Sequence, residues 1–181
     1  FAKFEFYTAP IPLQLRTNHL DELYATVHYL SPATQLIKIL KYRSSWAVAE
    51  SIAELMSRFL PIQEKPSILT FIPLHKKREW DRGFNQAQHL SKEISQRWRV
   101  PVANLLQRTK ATTPQAELSR DKRLTHLQDA FIYKSEVNID GQTIGIVDDV
   151  STTGTTLNEC AKILKEHGAD KVIGIVFAHG K

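Results

Sequence analysis

Residues 144–157 read IGIVDDVSTTGTTL and join an apolar run, an acid pair and a turn of small hydroxyl residues. The run is typical of a strand buried in a parallel sheet, where ligands bind at the carboxyl ends of the strands. Asp148 and Asp149 follow the run, and Gly154 precedes a predicted helix. Glycine and small hydroxyl residues let backbone N–H groups converge on an anion at a helix N-terminus. The segment therefore predicts a phosphate site.

The composition of this turn narrows the kind of phosphate ligand. The turn contains no lysine, so it differs from the nucleotide P-loop, which ends in Gly-Lys-Ser/Thr. Two carboxylates beside a phosphate repel it, unless the ligand also presents ribose hydroxyls or a divalent cation for the acids to hold. That combination favours a sugar phosphate. The alternative interpretation is a Ser/Thr-rich helix cap next to two surface acids.

Hydrophobic patterns on both sides of this segment predict alternating strands and helices. We predict strands at residues 23–30, 68–72, 131–133, 143–147 and 172–177, and helices at 36–43, 46–60, 85–98 and 155–167. A charged loop is expected at 74–82 and a mobile loop at 108–128. The repeated order of strand, loop, helix and strand predicts an α/β fold with a mostly parallel central sheet flanked by helices. Residues 1–22 are interpreted as an N-terminal arm, and residues 23–181 as the domain.

Composition excludes several classes of protein. The 181 residues contain one cysteine, Cys160, which rules out an internal disulfide framework and a four-cysteine zinc site within them. No apolar run approaches the roughly 18 residues of a membrane helix, so we expect a reduced cytoplasmic protein without membrane insertion. The formal net charge of +5 mildly favours anionic partners such as phosphorylated metabolites or nucleic acid.

The sequence VDDVSTTGTT at 147–156 resembles the phosphoribosyl pyrophosphate (PRPP) signature of type I phosphoribosyltransferases. The resemblance implies the type I fold, with Asp148 and Asp149 as catalytic residues that meet the ribose hydroxyls. It also implies that the turn binds the 5′-phosphate of PRPP through Ser151, Thr152, Thr153, Gly154, Thr155 and Thr156.

A second resemblance points to a branch of that superfamily. IPLHKKREWDRGFNQA at 72–87 is similar to the corresponding segment of the ComF/GntX family, as are KILKYR at 38–43 and TPQAELSRDKR at 113–123. In type I enzymes the loop after this strand holds pyrophosphate together with Mg²⁺. The resemblance therefore implies a pyrophosphate loop formed by Leu74, His75, Lys76, Lys77, Arg78 and Arg82.

Simpler interpretations of this second segment stay open. Its cations are also found in solvated loops, and Asn85 and Gln86 are equally typical of a helix start. Trp46, Trp80 and Trp98 are interpreted first as packing residues, although Trp80, among cations, is also placed to stack on a base. Cys160 is expected in the core of a helix, without chemistry.

The resemblance implies a role in natural competence and DNA uptake, and two functions remain open. One is an enzyme that transfers ribose 5-phosphate from PRPP, bound with Mg²⁺, to a nitrogenous acceptor and releases pyrophosphate. The other is a non-catalytic module that senses PRPP or handles single-stranded DNA with the competence machinery. ComF-type proteins usually begin with a four-cysteine zinc module, and these residues contain one cysteine.

Overall fold

A four-stranded parallel sheet organises the residues that the computed structural model describes, 3–13, 19–42, 46–109 and 130–180. Its strands lie in the order β1-β6-β5-β2, and a separate antiparallel pair joins β3 to β4. The bounds are β1 Glu22–His28, β2 Ile68–Phe71, β3 Leu106–Arg108, β4 Phe131–Tyr133, β5 Thr143–Ser151 and β6 Lys171–His179. The predicted α/β fold with a mostly parallel central sheet is confirmed.

Helices cover both faces of this sheet. They are α1 Ala33–Tyr42, α2 Trp46–Phe59, α3 Lys76–Arg82, α4 Gln86–Trp98 and α5 Thr155–Glu166. Apolar residues of α1, α2 and α4 pack with Val147 of β5 on one face, while α5 and the β3–β4 pair pack with Ile144 and Ile146 on the other. Both faces of β5 are therefore buried, which explains its continuous apolar run. Among the described residues, no helix is long and apolar enough to cross a membrane.

The strand β5 continues four residues beyond the predicted end at 147. It pairs with β6 along its whole length, with Asp148 opposite Val176 and Ser151 opposite His179. The apolar run marks only the fully buried part of the strand, whereas backbone pairing with β6 carries it further. The acid pair consequently lies in the strand itself, and the predicted turn begins only after Ser151.

The predicted charged loop at 74–82 is wrong over most of its length, because residues Lys76–Arg82 form α3. The His75 side chain accepts a hydrogen bond from the Lys77 backbone N–H at 3.3 Å and so caps the helix. Gly83, with φ of 79°, adopts the left-handed conformation that ends it. Lysine, arginine and glutamate favour helix between these two ends. The cations are therefore held on a short helix.

Residues near the N-terminus run beside β1 in the direction opposite to it. The Tyr7 backbone N–H donates to the Thr26 carbonyl, and His28 donates to Glu5. Ile11 reaches the core, where it is 8% exposed. The boundary at residue 22 between arm and domain stays a prediction. The predicted mobile loop at 108–128 lies outside the described residues except for its first two positions.

Gly145 of β5 offers a test of how closely the sheet is packed. An added Cβ would lie 2.8 Å from Pro66 Cγ and 2.9 Å from both Ile175 Cδ1 and Leu69 Cδ2. We expect Gly145→Ala to lower the free energy of unfolding by about 1–3 kcal/mol, because a tightly packed core resists added volume. Urea denaturation measures the change.

Gly141→Asn is the matched control for this prediction. Its φ of +65° is one that asparagine tolerates, and nothing lies within 4 Å of its added Cβ. The control is expected to unfold near the wild-type urea concentration. Equal unfolding midpoints for Gly145→Ala and wild type would contradict the proposed overpacking.

Candidate functional site

The N-terminus of α5 forms the centre of the site. Gly154 is the N-cap, with φ of 74°, and no described side chain caps the helix there. The Thr153 and Thr155 hydroxyls lie 2.7 Å apart, on either side of Gly154 at the start of the helix. Backbone N–H groups in the first turn of a helix lack intrahelical partners, and the helix dipole makes that end positive. This geometry suits an anion with several oxygens.

The six residues of the predicted phosphate turn span the junction between β5 and α5: Ser151 ends the strand, residues 152–154 connect, and Thr155 and Thr156 begin the helix. Ser151 and Gly154 are buried and Thr152 is exposed. The remaining three threonines, Thr153, Thr155 and Thr156, are half-buried. Half-buried hydroxyls combine a fixed position with access for a ligand, as a phosphate cradle requires.

Asp149 lies at the end of β5 in a buried polar network, and its side chain is 2% exposed. Its Oδ1 accepts a hydrogen bond of 3.0 Å from Gln86 Nε2, and its Oδ2 lies 2.6 Å from Lys41 Nζ. Gln86 Oε1 in turn accepts a bond of 2.7 Å from Arg82 Nη1. The network joins four elements, α1, α3, α4 and β5, at one point. Asp149 is therefore held by an ion pair with Lys41 and a hydrogen bond from Gln86.

Asp148 has different surroundings, because successive residues of a strand point to opposite faces. Its Oδ1 accepts a hydrogen bond of 2.8 Å from the Asp149 backbone N–H. Burial raises the pKa of the Asp148 carboxyl well above its usual range, and the neighbouring Asp149 charge raises it further. The charge of Asp148 also influences Arg108 and Cys160, which lie on the α5 side of the sheet. The two acids thus have distinct properties.

The structure separates the residues of the predicted pyrophosphate loop into two groups. Arg82 and Arg78 are half-buried, the first bonded to Gln86 and the second close enough to Arg108 to lower its pKa. Lys76 and Lys77 are exposed on α3. His75 caps that helix, and Leu74 is half-buried just before it. Arg82 is therefore linked to Asp149 through Gln86, and Arg78 lies near Arg108.

Three site residues were not assigned a ligand role by the sequence. Lys41 pairs with Asp149, Gln86 bonds the same carboxylate, and Arg108 is buried with its guanidinium 5.4 Å from the Phe131 ring centre. Lys41 lies within the KILKYR similarity, which was the available signal. Asn85 has the predicted capping role, because its Oδ1 accepts from the Ala87 N–H at 2.9 Å.

The packing prediction for the three tryptophans is confirmed for Trp98 and wrong for Trp46 and Trp80. Trp98 is 9% exposed and packs in the core as predicted, but Trp46 is 67% and Trp80 is 88% exposed. Trp80 lies on the cationic helix α3. Cys160 is fully buried, and burial raises the pKa of its thiol well above the usual range. This environment agrees with a structural role for the cysteine.

Comparison with known proteins defines the class of the fold. A family profile for the phosphoribosyl transferase domain matches residues 80–181. A solved allosteric regulatory enzyme of purine biosynthesis superposes on 76% of this chain with a TM-score of 0.50 and 15% identity, and the match covers 29% of that enzyme. A glutamine PRPP amidotransferase from B. subtilis gives a TM-score of 0.50 over 75% of this chain and 29% of its own, at 14% identity. The chain carries a type I phosphoribosyltransferase fold.

Curated relatives identify the branch. Competence protein F of Haemophilus influenzae is 31% identical over 84% of this chain and 70% of its own length. The DNA utilization protein YhgH of Escherichia coli K12 is 32% identical over 84% of this chain and 69% of its own. Competence protein ComFC of Bacillus subtilis is 33% identical over 58% of this chain and 41% of its own. The chain belongs to the ComF/GntX family of the type I phosphoribosyltransferase superfamily.

The raised pKa of Asp148 leads to a prediction about stability. Because folding raises this pKa, ionising the carboxyl lowers the free energy of unfolding as pH increases above the ordinary range of an aspartate. Asp148→Asn removes that penalty and keeps an acceptor oxygen for the Asp149 N–H. We expect the variant to gain a few degrees in Tm over wild type at pH 8 and much less at pH 4.

Thermal unfolding at both pH values measures this gain. Asp140→Asn is the control, because Asp140 is exposed and lies in the turn before β5, at the opposite end of the strand. It should show no pH-dependent gain. A difference between Asp148→Asn and wild type that stays the same at pH 4 and pH 8 would contradict the assigned pKa shift.

Proposed function

We propose that this protein binds PRPP at the carboxyl edge of its sheet and transfers the ribose 5-phosphate to a nitrogenous acceptor, with release of pyrophosphate. The observation that carries the proposal is the meeting of three elements at one edge. These are the uncapped N-terminus of α5, the acid pair of β5 and the arginines of α3. Each complements a different part of one ligand.

The 5′-phosphate, the ribose and the pyrophosphate of PRPP each match one of these three elements. The 5′-phosphate suits the turn at 151–156, where N–H groups, hydroxyls and the helix dipole all favour negative charge. Ribose hydroxyls suit the adjacent carboxylates of Asp148 and Asp149, which accept hydrogen bonds. The pyrophosphate suits Arg78 and Arg82, since guanidinium groups bind phosphate oxygens in two-pronged contacts.

The proposed reaction needs positioning and charge more than covalent chemistry from the protein. The acceptor nitrogen supplies its lone pair to ribose C1 while the bond between C1 and the pyrophosphate oxygen breaks. The pyrophosphate leaves with the electron pair of that bond. Positive charge that develops on the ribose is met by the Asp149 carboxylate, which Lys41 and Gln86 hold in place. Asp148, with its raised pKa, is suited to take the proton that the nitrogen loses.

Under this proposal Mg²⁺ enters the site bound to the phosphate groups of PRPP. Described residues contain no group of three or more metal-ligating side chains, and Lys41 already pairs with Asp149. Magnesium commonly binds through one or two carboxylates together with substrate phosphates, which fits this donor set. When bound, Mg²⁺ would neutralise charge on the leaving pyrophosphate.

Calorimetric titration of PRPP with Mg²⁺ tests the binding step. We expect wild type to bind, and Asp148→Asn/Asp149→Asn to lose at least about 100-fold in affinity, because several hydrogen bonds to charged groups disappear. Asp140→Asn should bind like wild type. Absence of PRPP binding by the folded wild type would contradict the proposal. Pyrophosphate release that requires an added base would extend it from binding to transfer.

A second function is favoured by the surface of α3. Trp80 is 88% exposed among Lys76, Lys77, Arg78 and Arg82, and an aromatic ring beside cations is the pattern that binds single-stranded nucleic acid. The names of the relatives, competence protein and DNA utilization protein, agree with such a role. Under this alternative the domain handles single-stranded DNA during transformation in the cytoplasm.

Fluorescence anisotropy with a labelled thymidine oligonucleotide tests the alternative. Trp80→Ala is expected to weaken binding about 5- to 100-fold, the range for loss of one base-stacking contact. Trp46→Ala is the matched control, since Trp46 is also exposed but lies on α2. Equal affinity in both variants and wild type would exclude Trp80 as a stacking platform.

A further inference from the structure

The site as described contains an electrostatic conflict. PRPP is a polyanion, and the turn proposed to hold its 5′-phosphate follows directly after two carboxylates. The Asp149 side chain is 2% exposed, so solvent screens a charge on its carboxylate poorly. An uncompensated charge at this position would repel every phosphate group that enters. Something in the fold must offset it.

Lys41 has the position and the charge to do so. Its ammonium lies 2.6 Å from Asp149 Oδ2, and the two side chains are 24% and 2% exposed. Burial alone would lower the pKa of Lys41, but the Asp149 and Asp148 charges together raise it above its usual value. Lys41 therefore remains a cation. Arg82 donates to Gln86, and Lys41 makes an ion pair with the carboxylate.

The origin of Lys41 in the chain sets it apart from the rest of the site. It lies in the last turn of α1, more than one hundred residues before the acids and outside residues 80–181 that match the phosphoribosyl transferase domain. The α1 helix packs its apolar side, including Ile37 and Leu40, against the sheet. That packing fixes the end of the helix above the end of β5.

We propose that Lys41 is a phosphate-affinity determinant of this site, acting by neutralising Asp149 so that the turn at 151–156 accepts an anionic ligand. This inference rests on the proposed function for the identity of the ligand. It adds a residue from α1 and a specific role. Lys41 acts through Asp149 and is a positioning residue rather than a catalytic one.

Two probes separate this role from a direct contact with the substrate. PRPP with Mg²⁺ reports on the whole site by calorimetry, and inorganic phosphate reports on the turn alone by nuclear magnetic resonance titration. Lys41→Met is expected to weaken the binding of both ligands about tenfold. This is the order expected when a like charge near the ligand loses its counterion. Lys38→Met is the matched control, because Lys38 is exposed on the same helix three residues earlier. It should change neither affinity.

The decisive comparison repeats the substitution without the acid. The double variant Asp149→Asn/Lys41→Met should bind phosphate within about twofold of wild type, because it removes both members of the ion pair and leaves the net charge at this position unchanged. A double variant as weak as Lys41→Met, or wild-type affinity in Lys41→Met, would overturn the inference. If Lys41→Met fails to fold, Asp149→Asn and the double variant decide alone: Asp149→Asn should bind phosphate more tightly than wild type, because the Lys41 charge is then unopposed, and the double variant should match wild type.

These results are distinguishable from failure of the proposed function. Folded wild-type protein that binds phosphate but not PRPP would contradict the proposed function and leave the role of Lys41 to be judged by the phosphate titrations. Wild-type protein that binds both, with no effect of Lys41→Met, would contradict the inference about Lys41 alone.

Discussion

The pairing of β5 with β6 through Ser151 is the constraint on which the site depends. The ladder continues past the apolar core, so Asp148 and Asp149 are strand residues with fixed directions rather than members of a loose turn. Opposite directions give the two carboxylates different surroundings: Asp149 is buried and paired with Lys41, and Asp148 is half-buried and accepts from the Asp149 backbone N–H. The same ladder delivers the chain to Gly154 at the edge where α5 begins. Backbone geometry thereby separates the acids while keeping both beside the phosphate turn.

Charge balance explains how acids and a phosphate turn coexist at this edge. Two like charges about 4 Å apart repel by roughly 4 kcal/mol at the effective dielectric of a protein surface, which is comparable to the gain from several hydrogen bonds. In this structure, Lys41 pairs with Asp149, and burial raises the pKa of the Asp148 carboxyl well above its usual range. The acids therefore oppose an anion less than their number suggests. A site with both carboxylates fully charged would depend on divalent cations for any phosphate binding.

The sequence predicted the sheet and helices well, because their signals are local. The apolar run 144–147 and the period of α4 follow directly from burial, and both were found in the structure. The helix α3 was missed, since its cations suggested a loop and its caps, His75 and Gly83, depend on backbone angles. Lys41 was not assigned to the site because its partner lies 108 positions away, and contacts across that distance depend on how α1 packs. Local patterns cannot specify such contacts.

Gln86 shows why the chemistry of one side chain links the two proposed ligand sites. Its amide donates to Asp149 through Nε2 and accepts from Arg82 through Oε1, so it contacts an anion and a cation at once. A glutamate would repel Asp149, and a lysine would repel Arg82, whereas an amide satisfies both. Because Asp149 accepts a hydrogen bond and Arg82 donates one, the amide of Gln86 has a fixed orientation. The arginine at the end of α3 is thereby held relative to the acid of β5. Movement of α3 toward a pyrophosphate group would consequently strain or shift the hydrogen bond to the carboxylate beside the ribose.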